Sequence, residues 1–237
     1  MFKYAVMALG LVFSSLSQAE MIVGDLDEAG DGRVTIDTST GIEWLDLTDT
    51  KGMSVNAVLA EMGKGGLYEG WRLPSEEEVR TMFNGYLSPY RNVAETTENY
   101  YVKFYAKTNS GIWNAYRAME SDLGRTYNDE SGIGSDRRVR GFYLDEDGDV
   151  NLLQWRAYDR SSDYMQMWFS HENSYTLDSS GSTTSIFLVN DGGMSLTSIE
   201  YPELFIENPD APINNAPVIA MSGLALLGLG LRRKKQS

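Results

Sequence analysis

Carboxylates come first among the residues able to do chemistry. Asp145-Glu146-Asp147-Gly148-Asp149 alternates acidic side chains through a glycine-bearing turn, and Asp25, Asp27 and Asp31 do the same beside Gly30 and Gly32. Alternating carboxylates around a tight turn offer the oxygen ligands that a calcium ion takes, so Asp145, Asp147 and Asp149 are the candidate metal ligands and Ca2+ the candidate cofactor. The EF-hand spacing fails: counted from Asp145, Val150 stands where its glycine belongs and Arg156 where its glutamate belongs. An exposed hairpin turn accounts for the same residues. Paired carboxylates also hydrolyse glycosidic bonds, but that chemistry is defined by their separation in space, and 34 Asp and Glu leave no pair marked. His171 is the single histidine and there are no cysteines. Thiolate zinc, disulfides and a cysteine nucleophile are thereby excluded. A Ser–His–Asp set stays formally open, although no G-x-S-x-G, H-E-x-x-H or P-loop pattern is present.

The second group is aromatic. Trp155, Tyr158, Tyr164, Trp168 and Tyr175 crowd one stretch, interleaved with Gln154, Arg156, Asp159, Arg160 and Asp163. Rings of this size serve core packing or a binding platform, and both readings stand at this level.

Several elements must position these residues. Val34–Asp37 and Ile42–Leu47 flank Thr38-Ser39-Thr40-Gly41 and read as a hairpin. Ser54 caps a short helix with Val55, Val58, Leu59 and Met62 on one face, ending at Gly63. Pro74 keeps Trp71-Arg72-Leu73 extended. Ser75 and Glu78 form a capping box for a helix that buries Val79, Met82, Phe83 and Tyr86. Residues 88–110 read as a looser insertion. Ile112, Trp113, Tyr116, Met119 and Leu123 recur at helical spacing, and Gly124 supplies the stop. Beyond Arg137 the pattern turns to strands, with Val139–Leu144 and Val150–Tyr158 around the acidic turn, then Tyr164–Phe169 and Ser185–Val189. Two or three short helices followed by an antiparallel β-sheet make the fold class α+β.

The ends read as addresses. Lys3, an apolar run to Leu16 and Ser17-Gln18-Ala19 are the three parts of a signal peptide, so 1–19 is a leader cleaved after Ala19. This predicts export across the inner membrane of a Gram-negative cell. The domain spans 20–207 and a linker 208–217. The apolar run 218–231 would make a helix of roughly 21 Å, short of the ~30 Å hydrocarbon core. The basic tail 232–237 stays cytoplasmic, which predicts transient anchoring in the inner membrane. Without Lys3 and the four terminal cations, 15 Lys and Arg face 34 Asp and Glu, a net charge of −19. A chain so acidic excludes nucleic acid as a partner.

The tail resembles the PEP-CTERM class of sorting signals, on the linker Asn208-Pro209-Asp210-Ala211-Pro212, the glycine-rich apolar run Ser222–Leu231 and the basic end. Asn215-Ala216-Pro217 stands where the family has Pro-Glu-Pro. The resemblance implies an exosortase-like sorting peptidase as partner, with Pro217, Arg232 and Arg233 in the signal, and release to the cell surface or medium. The core resembles the Lcl-type, C-type-lectin-like domain on "TGIEWLDLT" (Thr40–Thr48) and "GWRLP" (Gly70–Pro74), over roughly residues 37–85. Trp44 and Trp71 are expected in the core, with Arg72 paired to Glu76 or Asp46. Such a scaffold implies an extracellular polysaccharide as partner, bound without catalysis at Trp155, Arg156, Tyr158, Asp159, Arg160 and Trp168. A secreted glycan hydrolase with paired carboxylates and a purely structural envelope protein are the alternatives.

Overall fold

Short β-branched and aromatic runs broken by glycine turns pair into two sheets, and two capped amphipathic stretches pack against the larger one. The computed structural model describes residues 21–87, 102–106, 110–129, 135–161 and 164–202, with 87, 102–106, 159–161 and 164–173 described by backbone alone. The leader, linker and tail, including Pro217, Arg232 and Arg233, lie outside the described residues. No described helix is long and apolar enough to cross a membrane.

The smaller sheet has the order β1-β2-β3-β10, from Met21–Gly24, Val34–Asp37, Glu43–Leu45 and Val189–Asn190. The larger runs β4-β8-β7-β6-β5, from Val102–Ala106, Tyr164–Tyr175, Val150–Ser161, Asp136–Leu144 and Tyr127–Asp129. Every pairing is antiparallel except that of β9 (Ser185–Ile186), which runs parallel to β6. The segment 185–190 therefore leaves the larger sheet as β9 and enters the smaller one as β10. The architecture is α+β, with four helices among the described residues.

Capping sets the helices. α1 (Val55–Ala60) starts where Ser54 Oγ accepts the Ala57 amide, and it ends at Glu61, two residues before the expected glycine stop. Val55 and Val58 are buried, whereas Leu59 is 41% exposed, because six residues complete too few turns to bury a wider stripe. α2 (Glu76–Leu87) opens on the expected reciprocal box: the Glu78 amide donates to Ser75 Oγ at 3.2 Å, and the Ser75 amide donates to Glu78 Oε2 at 2.7 Å. α3 (Gly111–Leu123) is capped by Ser110 and stops at Gly124, whose φ of 82° suits a residue without a Cβ. α4 (Leu196–Glu200) has no counterpart in the sequence expectations, since five residues carry no readable period. Strand β4 also departs from them, giving ordered pairing inside the stretch read as a loose insertion.

The core has two parts. Val79, Met82, Phe83 and Tyr86 of α2 join Ile112, Trp113, Tyr116, Met119 and Leu123 of α3 against Val139, Tyr143, Leu153, Trp155 and Ala157 of the larger sheet. The second part gathers Val55, Val58, Tyr68 and Trp71 over Phe142, Val150, Leu152, Ile186 and Leu188. Trp44 and Trp71 are core residues as expected, one in each part. Phe187 meets both Trp44 and Phe83 edge-on, with ring centroids 6.3 and 6.2 Å apart.

Arg72 takes different partners from those expected. Its guanidinium grips Glu78 with bonds of 2.6 and 2.9 Å and reaches Asp191 through Nε at 3.1 Å. Glu78 bends back toward the helix start to complete the capping box, and that brings it to Arg72. Glu76 is held instead by Arg80 one turn on, and Asp46 by the Thr48 amide and hydroxyl.

Candidate functional site

Side chains alternate across a strand, so β6 and β7 sort their residues onto two faces. On β7, Leu153, Trp155 and Ala157 point into the helices, and Gln154, Arg156 and Tyr158 point away. On β6 the outward set is Asp136, Arg138 and Arg140. Near the acidic turn this outward face is covered by the second core around Phe142 and Leu152. Toward the other end of the hairpin it turns polar and half-buried.

Register assembles the site into rows. Tyr127, Arg138, Arg156, Trp168 and Lys103 lie opposite one another across five strands. The next row holds Asp129, Asp136, Tyr158, Gln166 and Tyr105. Arg140, Gln154 and Ser170 make a third. The centre is a shared carboxylate: Asp136 accepts from Arg156 Nε at 2.8 Å and Nη2 at 2.7 Å, and from Arg138 Nη2 at 2.7 Å. Burial alone would raise the Asp136 pKa, but the two arginine forks outweigh it and hold the group below its ordinary value. Arg138 lies over the Tyr127 ring at 4.7 Å and Arg156 over Tyr158 at 5.1 Å. Both are within cation–π range, which fixes the guanidinium planes.

Of the ligand residues expected from sequence, Arg156 and Tyr158 meet here, and Trp168 occupies the register position opposite Arg156. Trp155 does not belong to the site. It is 0% exposed and meets Tyr116 edge-on at 5.5 Å, because the strand's alternation turns it inward. Asp159 and Arg160 fall at the end of β7, where the pairing with β8 shifts register; their side chains, like that of His171, lie outside the described ones. The sequence reading missed Asp136, Arg138, Arg140 and Tyr127. Its signal was the polar-at-every-second-place pattern of Asp136-Arg137-Arg138-Val139-Arg140, which lengthens β6 by three residues beyond the expected start.

The acidic turns serve their own backbones. Asp145 Oδ1 accepts the amides of Asp147 and Asp149 at 3.1 and 2.9 Å, and Oδ2 accepts from Asn151 at 2.8 Å. Asp31 likewise gathers the amides of Leu26, Asp27, Glu28 and Arg33. Those bonds overcome a burial effect of opposite sign and bring its pKa down to about 2. Among the described residues no group of three His, Asp or Glu is placed to hold a metal. Both Asp145 oxygens thus take part in holding the turn.

A cleft of about 220 Å³ beside Trp44 brings Asp37, Glu77 and Glu78 together. Glycoside hydrolysis asks one carboxyl of a pair to stay protonated near neutral pH. Glu78 runs the other way: burial favours the neutral form, but Arg72 and Ser75 overcome it and lower the pKa. Asp37 Oδ1 is occupied by the Ser39 amide and hydroxyl at 2.9 and 2.6 Å. Burial does raise the carboxyls of Asp46 and Asp122, yet neither lines this cleft. The chain matches no protein-family model, no curated protein and no solved structure.

Proposed function

We propose that this chain is an exported, non-enzymatic protein of the cell surface or extracellular matrix that binds polysaccharide on the outward face of its larger sheet. The observation that carries the reading is the pairing of Arg138 with Tyr127 and of Arg156 with Tyr158 around Asp136, on a face of half-buried side chains. Guanidiniums held over rings present several donors next to apolar surface, which suits the hydroxyl-rich edges and apolar faces of sugars. Gln154, half-buried on the same face, adds a further hydrogen-bonding group beside Arg140.

Export rests on the leader ending at Ala19, and handling by an exosortase-like peptidase rests on the tail. The mature chain is expected to begin at Glu20, which N-terminal sequencing of material from the producing cells would read. The activity is tested by retention of the purified protein on polysaccharide from the producing organism, in calcium and in chelator, with released sugars assayed in the same tubes. Retention without release is expected. Chelator-sensitive retention would make calcium part of the binding, and Asn substitutions at Asp145, Asp147 and Asp149 would then test those residues as its ligands. Release of sugars would replace binding with hydrolysis, and no retention at all would leave a purely structural envelope protein.

A further inference from the structure

We infer that the ligand of this face is an acidic, carboxylate-bearing polysaccharide, and that Arg140 is the residue that separates it from a neutral one; this rests on the polysaccharide reading of the same face. The first ground is charge. The chain carries −14 overall, yet Arg138, Arg140 and Arg156 stand together on one face, with Lys103 in the adjoining register position and only Asp129 and Asp136 as described counter-charges in these rows. A cationic face on an acidic protein complements a polyanion while the remaining surface repels it, which confines such a chain to one face.

The second ground is geometry already occupied. Asp136 between Arg138 and Arg156 displays the mode of recognition, one carboxylate taken by planar forks at 2.7–2.8 Å. Arg140 is the member of the trio without such a partner. Among the described residues its one hydrogen bond is a long one, Nη2 to Tyr175 Oη at 3.4 Å, and its Nε is buried with no acceptor. Nε is closed to solvent, so a carboxylate arriving from outside meets the Nη end of this half-buried guanidinium and balances its charge. Arg140 lies two residues along β6 from Arg138, opposite Gln154, so a bound uronate carboxylate at Arg140 places its sugar ring over Gln154 and the Arg138–Arg156 row. A guanidinium fork takes carboxylates and tetrahedral oxyanions alike, so the choice of uronic acid rests on Asp136, which shows a carboxylate as the acceptor that this face already accommodates.

The test compares three polymers on the full chain: polygalacturonate, its methyl ester with the same backbone and no charge, and dextran sulfate. Polygalacturonate is expected to bind about tenfold tighter than the ester, and Arg140→Gln to bring that ratio near one. Arg140→Lys, which keeps the charge and loses the fork, is expected to lose most of the preference. Thermal melts of each variant separate lost selectivity from lost fold, and if Arg140→Gln does not fold, the wild-type ratio and Arg140→Lys decide. Equal binding of acid and ester would overturn the acidic ligand while leaving a polysaccharide-binding protein. Dextran sulfate bound as tightly as polygalacturonate would overturn the carboxylate selectivity. No binding to any of the three, nor to the producing organism's own polysaccharide, would overturn the underlying reading as well.

Discussion

Trp155 and Arg156 are chain neighbours on one strand, between the same two neighbouring strands and with opposite surroundings. Trp155 joins Tyr116, Val139 and Leu153 beneath two helices, with no exposed surface. Arg156 joins Asp136, Arg138 and Tyr158 on the far side of the sheet, half-buried and hydrogen-bonded through Nε and Nη2. The inner face gains by removing apolar area from water, an effect without direction. The outer face gains little in stability, because ion pairs near water are screened, but it fixes donors in space. Stability and recognition are therefore carried by alternate residues of one hairpin, and substitutions can address either alone.

Four expected outcomes follow from that division, the largest first. Trp155→Ala should cost about 3–5 kcal/mol of unfolding free energy in urea titrations, the usual cost of emptying a large aromatic site. Gly141→Ala should cost about 1–3 kcal/mol, since an added Cβ would stand 2.6 Å from the Phe187 ring where β6 meets β9. Arg156→Ala should cost about 1 kcal/mol or less in stability but weaken retention on polysaccharide about tenfold. An Arg156 variant as unstable as the Trp155 one would break the comparison, because the outer face would then be structural too. The smallest effect concerns acid. Asp31, with a pKa of about 2, and Asp136, Asp145 and Glu78, all lowered, bind protons less readily folded than unfolded. Their contribution is present above the ordinary carboxylate range and is lost as the pH falls from about 4 toward 2, so the melting temperature should drop across that window. Asp31→Asn should flatten the drop, and an unchanged slope would show that its turn bonds form in the unfolded chain as well.

Much of the fold was legible because it follows local rules. The Ser75–Glu78 box, the apolar spacing from Ile112 to Leu123 and the hairpin around Gly148 each depend on residues a few places apart. What depended on distant chain was not legible. Arg72 meets Asp191 across 119 residues, β9 crosses from one sheet to the other, and β4 adds an edge strand inside an apparent insertion. The site was half legible for the same reason. Composition gathers Trp155, Arg156 and Tyr158 into one cluster, but a period of two divides them, and only register shows that Asp136, Arg138 and Arg140 complete the outer half. At the acidic turn a sequence displays the carboxylates, and only the structure shows the amides that Asp145 accepts.

The central claim, that the outward face and not the core-facing one receives the ligand, is met most directly by following arginine Nε–Hε resonances of the full chain during titration with oligogalacturonate. Arg138, Arg140 and Arg156 are expected to shift together, with Arg33 and Arg72, which are tied to acids beside the smaller sheet, unmoved. Shifts at Arg33 or Arg72 with the outer-face trio silent would contradict it and place the ligand elsewhere on the molecule.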